Sequence, residues 1–141
     1  MAVADDLDKV AELCKTGARS TLTALLALGP KPDDPTGAFL WEQQTTRLQG
    51  QLNSLSALVS KLTAGAVVEG LKLFSLQLQT IGKVTADAEA EIKKIDDVSK
   101  LLTKLAKVLD LGLALLAAAA APSPASIAAA VVAGNTLAAG Q

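Results

Sequence analysis

Apolar positions along this chain recur at helical spacing from its first residues. Val3, Leu7, Val10 and Cys14 are separated by four, three and four residues, and Leu22, Leu25, Leu26 and Leu28 continue a related stripe. The pattern predicts an amphipathic helix over 3–28. Gly29 and Pro30 end it, and residues 29–36 form a Pro-rich loop, because each proline fixes φ and lacks a donor N–H.

Thr36 is the expected N-cap of the next helix, with Phe39, Leu40 and Trp41 at its start. Leu48, Leu52, Leu55, Val59, Leu62 and Ala66 then step by four and three. The opposite face is Gln, Arg, Asn, Ser and Lys, so this apolar seam is narrow, like a coiled-coil contact, and requires a partner helix. Gly65 and Gly70 bracket a change of phase to Val67, Leu71, Phe74, Leu78 and Ile81. A helix over 37–81 is expected to bend near 65–70, or two helices meet there. The stretch LKLFSLQLQ also alternates at period two, the strand signature. Helix is preferred, because Leu, Lys and Gln are good helix formers and no second strand is present to pair with it.

Gly82 and Thr85 suggest a further boundary, with Thr85 as N-cap of a helix over 86–121. Asp87, Glu89 and Glu91 near its start and Lys100, Lys104 and Lys107 further on would complement the helix dipole. Its core stripe is expected at Ala88, Ile92, Ile95, Ser99, Leu102, Ala106, Leu109, Leu113 and Leu116. Glu89 with Lys93, Asp96 with Lys100 and Asp97 with Lys100 are candidate exposed ion pairs, worth roughly 0.2–0.5 kcal/mol each. Ser123 and Pro124 form an N-cap and N1 pair that opens a short final helix from 124. The fold class is therefore all-α, a single domain over 1–141. It is expected as an elongated antiparallel bundle of three long amphipathic helices and a short Ala-rich C-terminal one. A 36-residue helix is about 54 Å long and the first helix covers about 39 Å of it. The short C-terminal helix or a second copy of the chain must cover the rest.

Composition agrees with helices: 27 Ala and 25 Leu stand against two Phe and one Trp. Charge is spread unevenly. Residues 111–141 carry none, and thirteen of those 31 positions are Ala. This tail reads as an apolar helical hairpin with three open uses: core, a self-association surface, or insertion into a bilayer. Leu111, Leu113, Leu115, Leu116, Ile127, Val131 and Val132 are its candidate interface or membrane residues, beside the seam candidates Leu48, Leu52, Leu55, Val59 and Leu62. Each arm is about eleven residues, roughly half of the ~20 needed to span ~30 Å of hydrocarbon. Long amphipathic helices with a short apolar hairpin resemble the pattern of helical pore-forming toxins, although the chain carries none of their motifs.

The chemical inventory excludes several functions. With no His there is no Ser-His-Asp or Cys-His arrangement, no HExxH zinc site and no Glu-x-x-His di-iron bundle. Thirteen basic and fourteen acidic residues nearly cancel, and three aromatics offer no base-stacking platform, so nucleic-acid binding is not expected. No glycine-rich phosphate loop is present. Cys14 falls within the apolar stripe and reads as a buried, inert thiol. Asp5, Asp6, Asp8 and Glu12 read as a solvated acidic first turn rather than a cation site, and Trp41 as a staple for the second helix. No catalytic residue, cofactor or metal is expected. The acidic start lacks the features of a signal peptide, and a lone Cys suits a reducing compartment. Cytoplasmic residence is expected, with release by a leaderless route as the alternative. The sequence points to a non-enzymatic interaction or assembly protein, self-associating or bound to a helical protein partner. The alternative is a membrane-active, pore-forming-type component.

Overall fold

The computed structural model describes residues 2–138 and is all-α, with no strand among them. Its helices are α1 (Ala2–Ala27), α2 (Pro35–Leu62), α3 (Gly65–Leu71), α4 (Ser75–Lys94), α5 (Val98–Ala120) and α6 (Pro124–Ala138), with a 3-10 turn at Lys72–Phe74. Three long helices and a short one were expected, but the chain is cut more finely.

Each cut has a local cause. Gly29 takes φ 66°, a left-handed conformation that ends α1. Asp34, rather than Thr36, caps α2: its carboxylate accepts the Gly37 N–H at 2.7 Å, and Pro35 occupies the first helical position. Of the two expectations for 65–70, a bend or a junction of helices, the structure has junctions: a break at Thr63–Ala64 and then the 3-10 turn. The ambiguous LKLFSLQLQ segment is helical around that turn, and the change of winding leaves Leu73 and Leu76 exposed. No boundary lies at 82–86. Gly82 is buried inside α4 where Asp6 of α1 comes close, and the Thr85 hydroxyl donates to the Gly82 carbonyl at 2.7 Å instead of capping a helix. The break falls at residues 95–97, and Asp97 caps α5 by accepting the Lys100 N–H at 3.1 Å. The charge gradient taken for one helix dipole is thus divided between two helices. Ser123 and Pro124 open α6 as expected, with the Ser123 hydroxyl accepting the Ser126 N–H at 3.0 Å.

The break at 95–97 also resets helical phase. In α5 the buried positions are Leu101, Lys104, Leu105, Val108, Leu111, Gly112, Leu115 and Ala118. The expected stripe through Ser99, Leu102, Ala106, Leu109, Leu113 and Leu116 is half-buried or exposed instead. Carrying the phase of Ala88 and Ile92, which are buried, across a non-helical step turned that stripe onto the wrong face.

Helix partners follow from the contacts. α1 packs on α2 and α4, α5 packs on α2, α3 and α6, and α6 packs on α4 as well. Asp6 meets Gly82 and Thr16 meets Glu89, so α1 and α4 run in the same direction. Gln51 donates to the Leu102 carbonyl and Leu58 abuts Gly112, so α2 and α5 also run together. The expectation that sequential helices are neighbours fails for α4 and α5, which touch only sparsely because α6 takes the place between them. One core joins all six helices, from Val3, Leu7 and Cys14 through Leu55, Leu71, Ile81 and Leu105 to Ile127 and Leu137.

Candidate interaction surfaces

The α2 seam is satisfied within the chain. Leu48, Leu55 and Leu62 are fully buried, Leu52 and Val59 are half-buried, and Leu58 joins the core beside them. Leu55 lies against Gly17 of α1 and Leu58 against Gly112 of α5, so α1 and α5 supply the helix surface that the seam requires.

The uncharged tail is divided by burial. Leu111, Leu115 and Ile127 are core, Leu116 and Val131 are half-buried, and Leu113 and Val132 are exposed. Ala118, Ala130 and Leu137 are also buried, and the two small alanines let α5 and α6 approach their neighbours closely. Positions 139–141 lie outside the described residues. Among the described residues, no helix is long and apolar enough to cross a membrane.

One polar knot holds the tail. Lys104 lies on the buried stripe of α5 and is only 4% exposed. Its ammonium donates to Glu91 Oε2 of α4 at 2.7 Å and to the Leu137 carbonyl of α6 at 2.7 Å. The carbonyls at a helix C-terminus carry partial negative charge, so a lysine is well matched there. Lys104 therefore joins three helices at one point.

The most exposed apolar residues on α1 and α2 fall at positions that the periodicity assigns to the apolar stripe of the first helix and to the start of the second. Leu26 is 75% and Phe39 60% exposed, and Leu40 and Leu22 are about half exposed. Length explains why. Gln51 is level with Leu102, from which α5 continues only four residues toward this end while α2 continues sixteen. At ~1.5 Å per residue that is about 6 Å against about 24 Å. On the other arm, Thr16 is level with Glu89, five residues before the end of α4 and eleven before the end of α1. The α1–α2 end thus extends past the helices that would cover it. The sequence predicts a length mismatch of the opposite sense, a 3–28 helix too short to cover 86–121, and the break at 95–97 reverses it. Trp41 stabilises the end, its indole N–H donating to the Gly29 carbonyl at 3.1 Å, and Lys31 pairs with Glu42 across the loop. A shallow groove of about 280 Å³ runs beside Phe39, lined also by Glu42, Gln43, Thr46 and Arg47.

Other candidates resolve simply. Cys14 is buried, and burial pushes its thiol pKa from 9.0 up to about 12, the direction expected when a thiolate would lose its water. Asp6 is buried rather than solvated, while Asp5, Asp8 and Glu12 are exposed, and no cluster of metal-ligating side chains occurs among the described residues. Glu89 accepts from the Thr16 hydroxyl at 2.6 Å instead of pairing with Lys93, and Asp97 serves as a helix cap rather than as an ion-pair partner of Lys100. No protein-family model, curated protein or solved structure matches the chain.

Proposed function

We propose that this chain is a non-enzymatic assembly protein, an elongated helical bundle that self-associates through the overhanging α1–α2 end. The observation that carries the reading is the exposure of Leu22, Leu26, Phe39 and Leu40 on the two arms of one hairpin end. Scattered exposed apolar residues are ordinary, whereas a group of large ones gathered at one end is the usual mark of an interface. Arg47 and Glu42 beside Phe39 supply both signs of charge for a polar rim around such a contact. The histidine-free inventory supports a role without catalysis. Light scattering over a concentration series tests the reading. The wild type is expected to form a defined oligomer, and the double variant Leu26→Glu, Phe39→Glu to be a monomer with unchanged helical circular dichroism. A wild type that stays monomeric throughout overturns it.

A second reading, membrane activity, is favoured by the absence of any charge in α6 together with the exposure of Leu113 and Val132. Dye release from vesicles by the full chain, lost in Leu113→Glu, Val132→Glu, would support it. No release would set it aside.

A further inference from the structure

Between the last turn of α4 and the first turns of α5 lies a cleft of about 550 Å³. This is within the range of small-molecule sites, ~300–1,000 Å³. The cleft exists because α6 keeps α4 and α5 apart. Three ammonium groups line it, those of Lys94, Lys100 and Lys104, against the carboxylates of Glu91 and Asp96. Glu91 is committed to Lys104, whereas Lys94 and Lys100 pair with no carboxylate among the described residues. Lys104 uses two of its three donors, on Glu91 and the Leu137 carbonyl, and remains a fixed, buried cation of the cleft wall. The start of α5 adds little, because Asp97 already occupies it. Half-buried Ile95 gives the lining an apolar element.

We infer that this cleft binds a small aliphatic carboxylate, its anionic group held by Lys94 and Lys100 and its hydrocarbon body against Ile95. A monoanion suits the lining better than a phosphate dianion, because the excess of positive over negative groups is one. Charge-assisted hydrogen bonds from two lysines beside a buried third one supply the attraction.

The probe is butyrate, titrated into the full chain at constant ionic strength and followed by amide chemical shifts. Saturable shifts confined to residues 91–104 are expected. The double variant Lys94→Gln, Lys100→Gln alters two exposed side chains and is expected to keep the wild-type circular dichroism while weakening binding at least tenfold. Asp96→Asn, which removes a competing carboxylate, is expected to tighten it. Shifts that never saturate, or an affinity unchanged in the double variant, would overturn the inference. So would inorganic phosphate binding as tightly as butyrate.

Discussion

Lys104 Nζ lies 2.7 Å from the carbonyl oxygen of Leu137, so a buried side chain of α5 closes the C-terminal turn of α6. With the 2.7 Å bond to Glu91, the same ammonium sets the spacing of three helices. Truncating it to Ala removes packed methylenes and takes a buried donor from the Leu137 carbonyl, at a cost of about 2–4 kcal/mol. Lys104→Met keeps the apolar stem but loses the charge and both hydrogen bonds, at about 1–3 kcal/mol. Glu91 is partly solvated, so Glu91→Gln is expected to fall below 1 kcal/mol. Urea unfolding measures all three, and hydrogen exchange is expected to speed up in the last turn of α6 first.

Glycines separate into two groups by what a methyl would meet. A Cβ on Gly70 would lie 2.5 Å from the Ala119 carbonyl oxygen, a backbone atom that cannot rotate away. A Cβ on Gly82 would lie 2.5 Å from Asp6 Oδ1, a side chain with some freedom. Gly70→Ala is expected to cost the upper part of the overpacking range of about 1–3 kcal/mol and Gly82→Ala the lower part. Gly50 lies within α2 with nothing near its added Cβ, so Gly50→Ala is expected to stabilise by about 0.5–1 kcal/mol. Thermal midpoints of the three variants check the order.

Cys14 predicts a pH effect with a definite sign. Below pH 9.0 both folded and unfolded chains hold the thiol proton, and the contribution of this residue is complete. Between 9.0 and about 12 only the unfolded chain releases it, so stability falls by up to about 1.4 kcal/mol per pH unit. Cys14→Ala is expected to flatten this part of the stability profile. At neutral pH a thiol reagent is expected to label the wild type only as fast as the protein opens.

Removing residues after Asp110 is expected to abolish cooperative unfolding rather than leave a smaller folded unit. That cut deletes Leu111, Leu115, Ile127 and Leu137 from the core. At roughly 1.5–3 kcal/mol each, their burial amounts to about 6–12 kcal/mol, comparable with the ~5–15 kcal/mol net stability of an ordinary domain. Calorimetry of the 1–110 fragment checks this, and a sharp transition near that of the full chain would refute it.

Periodicity and punctuation made much of the fold legible: all-α class, the extent of α1, the Pro-rich loop and the Ser123–Pro124 start of α6. The register of α5 was hidden for two physical reasons. Its sequence is apolar on both sides, and the buried side carries Lys104, which reads as a surface residue until its partners on α4 and α6 are known. The break before α5 has neither Gly nor Pro, only an Asp97 whose capping role depends on where the helix starts. The overhanging leucines were legible as a stripe but not as a surface, since exposure depends on which helices fall short beside them.

The insertion of α6 between α4 and α5 has a consequence for biosynthesis. α4 and α5 cannot complete a hairpin by themselves, and α4 finds α1 only through contacts such as that of Thr16 with Glu89, 73 residues apart. A nascent chain that has reached Ala120 has made most of the core residues but not the helix that separates α4 from α5. Until α6 is translated, the faces of Ile81 and Leu111 that Gly134 comes to lie against stay open to other chains. The charge-free α6 is therefore the element on which the bundle waits to close during synthesis.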